Sequence, residues 1–497
     1  MPHRPTDPYD DVPYTDHSYA ESHPDRLAVV AKMSGWTPPA VERARILELG
    51  CGVGGNLLPM AEQLPGATLV GVDRSRRQIE AARRVAEAAG LKNVVFHEAS
   101  FEDADLVATE FDFVICHGVY SWISIDARRA LLRVVARCLA PGGVAYLSFN
   151  TLPGWYDRMA ARDWLRFADA TSIEPLSWLK ARVSLELDAY RRQLGQVEDR
   201  LRETERAYLV HEYLSTEHHP ELVTSVLGEA GDAGLRYLGD AIPTSTAVEL
   251  LDDEAQARAL GLDVAATQQL VDFVRHTSFR RALFVRSDAS DERAWCWPMR
   301  LDPRAIDSSR IASRLRITAD PAGGADRIEG PDGIVHVFDP LARCALHELS
   351  LVAPRSLAFD ELCQRVRAAM PTADGSSKVS DAVRSELFDL WLTIGGLDLH
   401  AYEPRMATTV SERPEASAVA RIQARTDGTL TNVWHQEVRL VEEVVRFALA
   451  RLDGTRTCGA LTREVRERML PESSSADVEA LVRASLDLLA KSALLVQ

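Results

Sequence analysis

The chain has 497 residues, 46% of them hydrophobic and 26% charged, and at roughly 100–200 residues per domain it predicts two to four folded units. Its formal net charge of −16 argues against a broad phosphate-binding surface and so against a general nucleic-acid partner. The opening MPHRPTDPYDD has no basic and apolar leader, no uncharged apolar run reaches the roughly 18 residues of a membrane span, and seven cysteines form no Cys-x-x-Cys pair. A cytoplasmic protein with reduced thiols, no span and no metal centre is expected.

From residue 45 strands and helices alternate. Arg45-Ile46-Leu47-Glu48-Leu49 predicts a first strand ending in Gly50-Cys51-Gly52-Val53-Gly54-Gly55. A helix over 56–64 closes at Pro65-Gly66, and Ala67 to Asp73 reads as a second strand. Ser75 to Ala89 is amphipathic, with Ile79, Ala82, Val85 and Ala86 on one face, and stops at Gly90. Val94-Val95-Phe96 and Phe111 to Cys116 are the third and fourth strands. A helix from Ala127 to Leu139 ends at Pro141-Gly142-Gly143, before a fifth strand, Val144 to Phe149. This alternation predicts a doubly wound, Rossmann-like parallel sheet, which binds ligands at the C-terminal ends of its strands.

Gly50, Gly52 and Gly55 satisfy G-x-G-x-x-G, a motif that alone leaves a dinucleotide site open. Three features favour S-adenosyl-L-methionine. Glu48 precedes the first glycine by two residues, placing a carboxylate for the methionine ammonium. Asp73 ends the second strand, where an acid accepts from both ribose hydroxyls. The Leu139-Ala140-Pro141-Gly142-Gly143 turn resembles one at the matching place in class I methyltransferases. In those enzymes an acid after the third strand reaches the adenine amino group. Here Ser100 stands at that position, able to hydrogen-bond without charge, and Phe101 can pack on the purine. The expected cofactor set is Tyr14, Glu48, Gly50, Gly52, Gly54, Asp73, Arg74, Ser100, Phe101 and His117, and no metal ligand is expected.

Further blocks narrow the resemblance. They are Tyr9-Asp10-Asp11-Val12-Pro13-Tyr14, His23-Pro24-Asp25-Arg26-Leu27, His117-Gly118-Val119-Tyr120-Ser121-Trp122 and Phe149 to Trp155. With Gly234 to Asp240, Phe279 to Leu283, Ala418 to Ala424 and Leu452-Asp453-Gly454-Thr455, they resemble bacterial methyltransferases that carry a methyltransferase regulatory domain. That group includes protein-lysine methyltransferases similar to those of rickettsiae. The resemblance implies a protein substrate and a Tyr14 that folds over the cofactor.

Residues 155–214 read as mainly helical, fit for a lid, a connector or a homodimer contact. His211-Glu212 and His218-His219 lack the His-Glu-x-x-His spacing of a zinc site. The stretch 317–334, rich in Gly, Pro and Asp, predicts loops or a hairpin between units. A weak repeat follows: Phe359 to Leu399 and Cys458 to Val496 each read as helix, loop, helix and short strand, the winged-helix pattern. Acidic residues on the second helices, such as Glu386 and Asp487, favour a protein contact over DNA. The expected domains are 1–155 for the cofactor, 156–298 for a helical regulatory region, and 299–497 for winged-helix-like units.

For chemistry, Tyr120, Trp122 and Asn150 fall on loops after the fourth and fifth strands, the acceptor side. Aromatic rings there hold a cationic amine, and the Asn150 amide oxygen orients the nucleophile. Methylation of protein lysine is the leading expectation. A small-molecule acceptor and a non-catalytic adenosylmethionine sensor are the alternatives.

Overall fold

The computed structural model describes residues 12, 17–101, 110–204, 206–288, 301–320, 324–371, 376–426 and 429–496. Its centre is a sheet whose strands are β1 (Arg45–Leu49), β2 (Thr68–Asp73), β3 (Val94–Glu98), β4 (Phe111–Cys116), β5 (Leu139–Leu152), β6 (Glu221–Leu222), β7 (Leu235–Asp240) and β8 (Phe279–Arg286). The order is β3-β2-β1-β4-β5-β8-β7, with the short β6 pairing the end of β5. Strands β1 to β5 are parallel, while β8 runs antiparallel to both β5 and β7.

Helices cover both faces of this sheet, which is why its strands are apolar in nearly every position. On one face Ile46, Leu69, Phe113 and Ile115 pack against Leu57, Met60, Ile79 and Ala82. On the other, Leu47, Val114 and Ala145 meet Leu131, Leu132 and Val135. Helix starts follow side-chain caps: Ser75 Oγ accepts from Gln78 N at 3.2 Å, and Ser124 Oγ from Ala127 N at 3.4 Å. The Ala140-Pro141-Gly142-Gly143 segment, expected as a turn, is instead taken into β5. The strand absorbs it through a register shift opposite Phe111 and Phe113, since two glycines and an edge-tolerant proline permit a bulge.

Residue 155 does not end the cofactor sheet, because β7 and β8, from the segment expected to be helical and regulatory, complete it. Arg280 on β8 ties β7 and the preceding helix together. Its guanidinium, fully buried, lies 2.7 Å from Asp240 on β7 and 2.9 Å from Asp272 on the preceding helix Val264–Arg275. The apolar run Ala282–Val285 is compatible with a buried strand, but the β5 partner lies over a hundred residues upstream.

Helices Tyr156–Phe167, Glu174–Arg182 and Asp188–Glu203 form a separate packed unit around Leu165, Leu176, Leu194 and Tyr213. From the 317–334 region the described residues include a three-stranded antiparallel sheet of Arg316–Thr318, Asp326–Gly330 and Gly333–Val337. The two repeat copies appear as helices Phe359–Ala369 and Ser376–Thr393 before the strand Leu397–His400, and as helices Cys458–Arg468 and Ser475–Lys491. Each has its own apolar core.

These C-terminal units dock on the cofactor domain through buried polar contacts. Asp398 sits 2.8 Å from Arg26 and 2.7 Å from Arg314. Burial alone would raise the Asp398 carboxyl, but the two guanidiniums outweigh it and hold it well below the usual carboxylate range. Glu62 accepts from Ser417 Oγ at 2.6 Å and from Ala418 N at 2.5 Å, capping the helix Ala418–Gln423 from outside. No described helix is long and apolar enough to cross a membrane.

Candidate functional site

At the C-terminal ends of β1, β2, β4 and β5 lies a cleft of about 560 Å³. Its floor is the turn after β1. Gly50 has φ +76°, and a Cβ there would come within 2.4 Å of Val119 Cγ2, so a side chain is excluded by both conformation and space. Gly52 N donates to Asp73 Oδ2 at 3.0 Å, and Ser75 N donates to Asp73 Oδ1 at 2.9 Å. Asp73 thus braces the glycine turn while its carboxylate lines the cleft.

Glu48 is buried on β1 and also lines the cleft. Its Oε1 accepts from Asn56 Nδ2 at 2.7 Å, whereas Oε2 is buried without a hydrogen-bond partner. Burial, aided by the charge of Asp73 and opposed by the Asn56 bond, raises its pKa to about 8. An orphaned buried carboxylate oxygen beside a glycine floor is suited to an ammonium group. On that chemistry the residues present fit the amino-acid end of adenosylmethionine.

Arg74, Ser100 and Phe101 line the same cleft beyond Asp73. His117, at the end of β4, stacks on Tyr19 at 3.5 Å between ring centroids, and its Nδ1 lies 2.9 Å from Tyr146 Oη. Burial lowers its pKa to about 4, so the ring is neutral near pH 7. Trp122 and Asn150 both reach the cleft. Asn150 N donates to Ser121 Oγ at 2.8 Å, and its Nδ2 lies 3.1 Å from His218 Nε2.

Two expected residues, Tyr120 and Gly54, stand elsewhere. Tyr120 is buried behind the wall: the helical turn Tyr120–Trp122 directs it inward, where its hydroxyl donates to Glu229 at 2.8 Å and its ring meets Phe149 at 5.9 Å. Gly54 faces away from the cleft, toward Leu58 and Phe96, and Gly55 takes its place on the wall. Tyr14 lies outside the described residues.

Other residues come to the cleft that sequence reasoning did not place there. His17 and Tyr19 cover it from the N-terminal segment, Asn56 and Gln78 from the two helices, and Phe279 from β8. His211, Glu212 and Glu217 enter from the segment after the helical unit. Their clustering was visible in sequence, but read against zinc spacing rather than as a cleft wall. Among the described residues no group of three His, Cys, Asp or Glu is arranged to hold a metal ion.

A mostly parallel sheet of this order, with a glycine turn after β1 and an acid ending β2, defines the class I adenosylmethionine-binding fold. Comparison with known proteins agrees along the chain. A methyltransferase domain matches residues 46–143, a predicted methyltransferase regulatory domain residues 205–286, and a PKMT C-terminal winged helix domain residues 412–477. Uncharacterized protein RP028 of Rickettsia prowazekii is 36% identical over 216 residues, covering 41% of this chain and 86% of that protein. Uncharacterized protein RP789 of the same organism is 34% identical over 298 residues, 58% of this chain, and the match spans about half of its length, 54%. PKMT2 from Rickettsia typhi, solved in complex with AdoHcy, shares the fold with a TM-score of 0.85 at 22% identity, over 98% of this chain and 100% of that one. The chain belongs to the methyltransferases that carry the predicted regulatory domain, and its cofactor is S-adenosyl-L-methionine.

Proposed function

We propose that this protein transfers methyl groups from adenosylmethionine to the side-chain amine of lysine in protein substrates. The composition of the acceptor mouth carries the reading: the Trp122 indole and the carboxylates of Glu212 and Glu217 line one opening together with Asn150. An aromatic face is worth roughly 0.5–2 kcal/mol to a cation, and nearby acids favour the same charge. The PKMT-type winged-helix match and the fold shared with PKMT2 support a protein acceptor over a metabolite. We place the reaction in the cytoplasm, where buried thiols such as Cys116 and Cys138 stay reduced.

Bound adenosylmethionine supplies the electrophilic methyl group, and transfer is an in-line displacement, so the protein's task is alignment. Glu48 holds the ammonium, Asp73 accepts from the ribose hydroxyls with Arg74 beside it, and Ser100 and Phe101 receive the adenine. The glycine turn at Gly50 and Gly52 lets the backbone approach, and His117 flanks the cofactor as a neutral ring. Trp122 holds the acceptor, and the Asn150 amide orients its nitrogen. The imidazoles of His117 and His218, lowered mainly by burial to about 4 and about 3, are too weakly basic to keep an ammonium proton. The lysine proton therefore passes to solvent, its departure favoured by desolvation of the amine against Trp122.

The test is incubation with methyl-tritiated adenosylmethionine and a lysate of the source cell, followed by separation of protein from low-mass label. Label in a discrete protein band, lost on Gly52→Arg, is the expected result. Label confined to small molecules rejects the lysine reading. Cofactor binding with no label anywhere identifies a sensor instead.

A further inference from the structure

The C-terminal winged-helix unit inserts a turn beside the cofactor cleft. A hairpin of Leu430–Thr431 and Glu437–Val438 turns through residues 432–436, and this turn is buried. Asn432 Oδ1 accepts from Trp434 N at 3.0 Å and Gln436 N at 2.9 Å, which tightens it. His435 at its tip has φ +58°, a left-handed conformation that residues other than glycine seldom adopt. Trp434 anchors the turn, stacking on His400 at 3.9 Å and donating from Nε1 to Pro354 O at 2.9 Å.

The strained histidine is aimed at Asn56. Its Nε2 lies 2.8 Å from Asn56 Oδ1, and Asn56 Nδ2 in turn donates to Glu48 Oε1 at 2.7 Å. The directions are fixed by the network. Because the Asn56 amide nitrogen donates to Glu48, its oxygen must accept, so His435 donates through Nε2–H and leaves Nδ1 as the bare, unpartnered nitrogen. Asn56 Oδ1 also accepts from Tyr19 N at 3.0 Å, so the same amide holds the N-terminal segment over the cleft. Two residues on, Glu437 Oε1 accepts from Ser18 N at 3.3 Å and lies 2.7 Å from His17 Nδ1.

We propose that His435 of the winged-helix unit is a positioning residue for the cofactor: through Asn56 it fixes the Glu48 carboxylate that binds the amino-acid end of adenosylmethionine. The unit is then a built-in part of the cofactor site rather than a free reader of other molecules. Without His435 the Asn56 oxygen keeps Tyr19 N and Ser22 Oγ as donors at 3.0 and 3.3 Å but loses its shortest contact, so the amide, and with it the Glu48 carboxylate it binds, is held less firmly. The inference rests on the assignment of Glu48 to the ammonium, and the experiment separates the two.

The full-length protein is titrated calorimetrically with two probes, S-adenosylhomocysteine and 5′-methylthioadenosine. The second keeps adenine and ribose but lacks the amino-acid end. His435→Ala is expected to weaken adenosylhomocysteine on the order of tenfold and leave methylthioadenosine unchanged, as loss of one buried hydrogen bond implies. His435→Gln, which can still donate an N–H, is expected to restore most of the loss. Glu48→Gln is the control, and His435→Ala added to it should cost nothing more. Equal loss for both probes, or no loss for either, overturns the proposal, because a merely structural role does not distinguish the two ligands. If Glu48→Gln itself fails to discriminate them, the ammonium assignment is what falls. Should His435→Ala not fold, as judged by its thermal melt, Asn56→Asp carries the same comparison: it retains an oxygen facing His435 and loses the donor to Glu48, and unchanged discrimination would overturn the relay.

Discussion

His218 Nε2 lies 3.1 Å from Asn150 Nδ2, with the imidazole set against Trp122 at 4.4 Å and Trp155 at 4.2 Å between ring centroids. Burial takes the ring's pKa to about 3, so it stays neutral and hydrogen-bonds Asn150 at any working pH. The amide at the acceptor mouth is therefore held from behind by a group that never contacts the cleft. Asn150→Ala and His218→Ala are both expected to lower kcat, on the order of tenfold to a hundredfold, with little change in adenosylhomocysteine affinity. Steady-state kinetics alongside calorimetry checks this, and a loss of cofactor affinity equal to the loss of rate would remove Asn150 from the acceptor side.

Cofactor binding is expected to depend on pH through Glu48. Its folded pKa, raised to about 8 chiefly by burial, leaves the carboxyl mostly protonated at pH 7. An incoming ammonium favours the charged form, so binding releases a proton below pH 8. Affinity should climb as pH rises toward 8 and level off above it. Calorimetry in two buffers of different ionisation enthalpy measures the proton directly. Glu48→Gln should abolish both the release and the slope.

Asp73→Ala removes the acceptor for the Gly52 and Ser75 amides as well as the one available to the ribose. Hydrogen bonds to a charged partner are worth about 1.5–3 kcal/mol, so affinity should fall at least about tenfold. Adenosylhomocysteine and methylthioadenosine should suffer alike, in contrast to the Glu48 and His435 variants. Unchanged affinity would sink the ribose assignment.

Arg280→Met is expected to destabilise the protein by about 3–5 kcal/mol, because Asp240 and Asp272 would be left buried without their cation. Denaturant unfolding followed by fluorescence measures it. A loss below about 1 kcal/mol would mean that β7 and β8 are held in the sheet by apolar packing alone.

Much of the cofactor half was legible in sequence, because the signals there are local. Strands β1 to β4 are short apolar runs, the turn after β1 is marked by its glycines, and Glu48, Gly50, Gly52 and Asp73 lie within a few residues of the strand ends. Parallel α/β order then brings those ends together with no further information. Tyr120 was misplaced because a three-residue helical turn sends neighbouring rings to opposite sides, and sequence spacing does not reveal which side is the cleft.

What the sequence determined by itself was the class of fold and the cofactor. Tertiary structure decided the rest: that β7 and β8 extend the sheet, that Tyr19 covers the cleft, that His211, Glu212 and Glu217 line it, and that His435 stands behind Glu48. The physical reason is contact range. Asn56 and His435 are separated by 379 positions, yet they share one buried hydrogen bond, and a buried polar group must find its partner wherever packing brings one. No periodicity or motif encodes such a meeting; only the docking of the C-terminal unit on the sheet creates it.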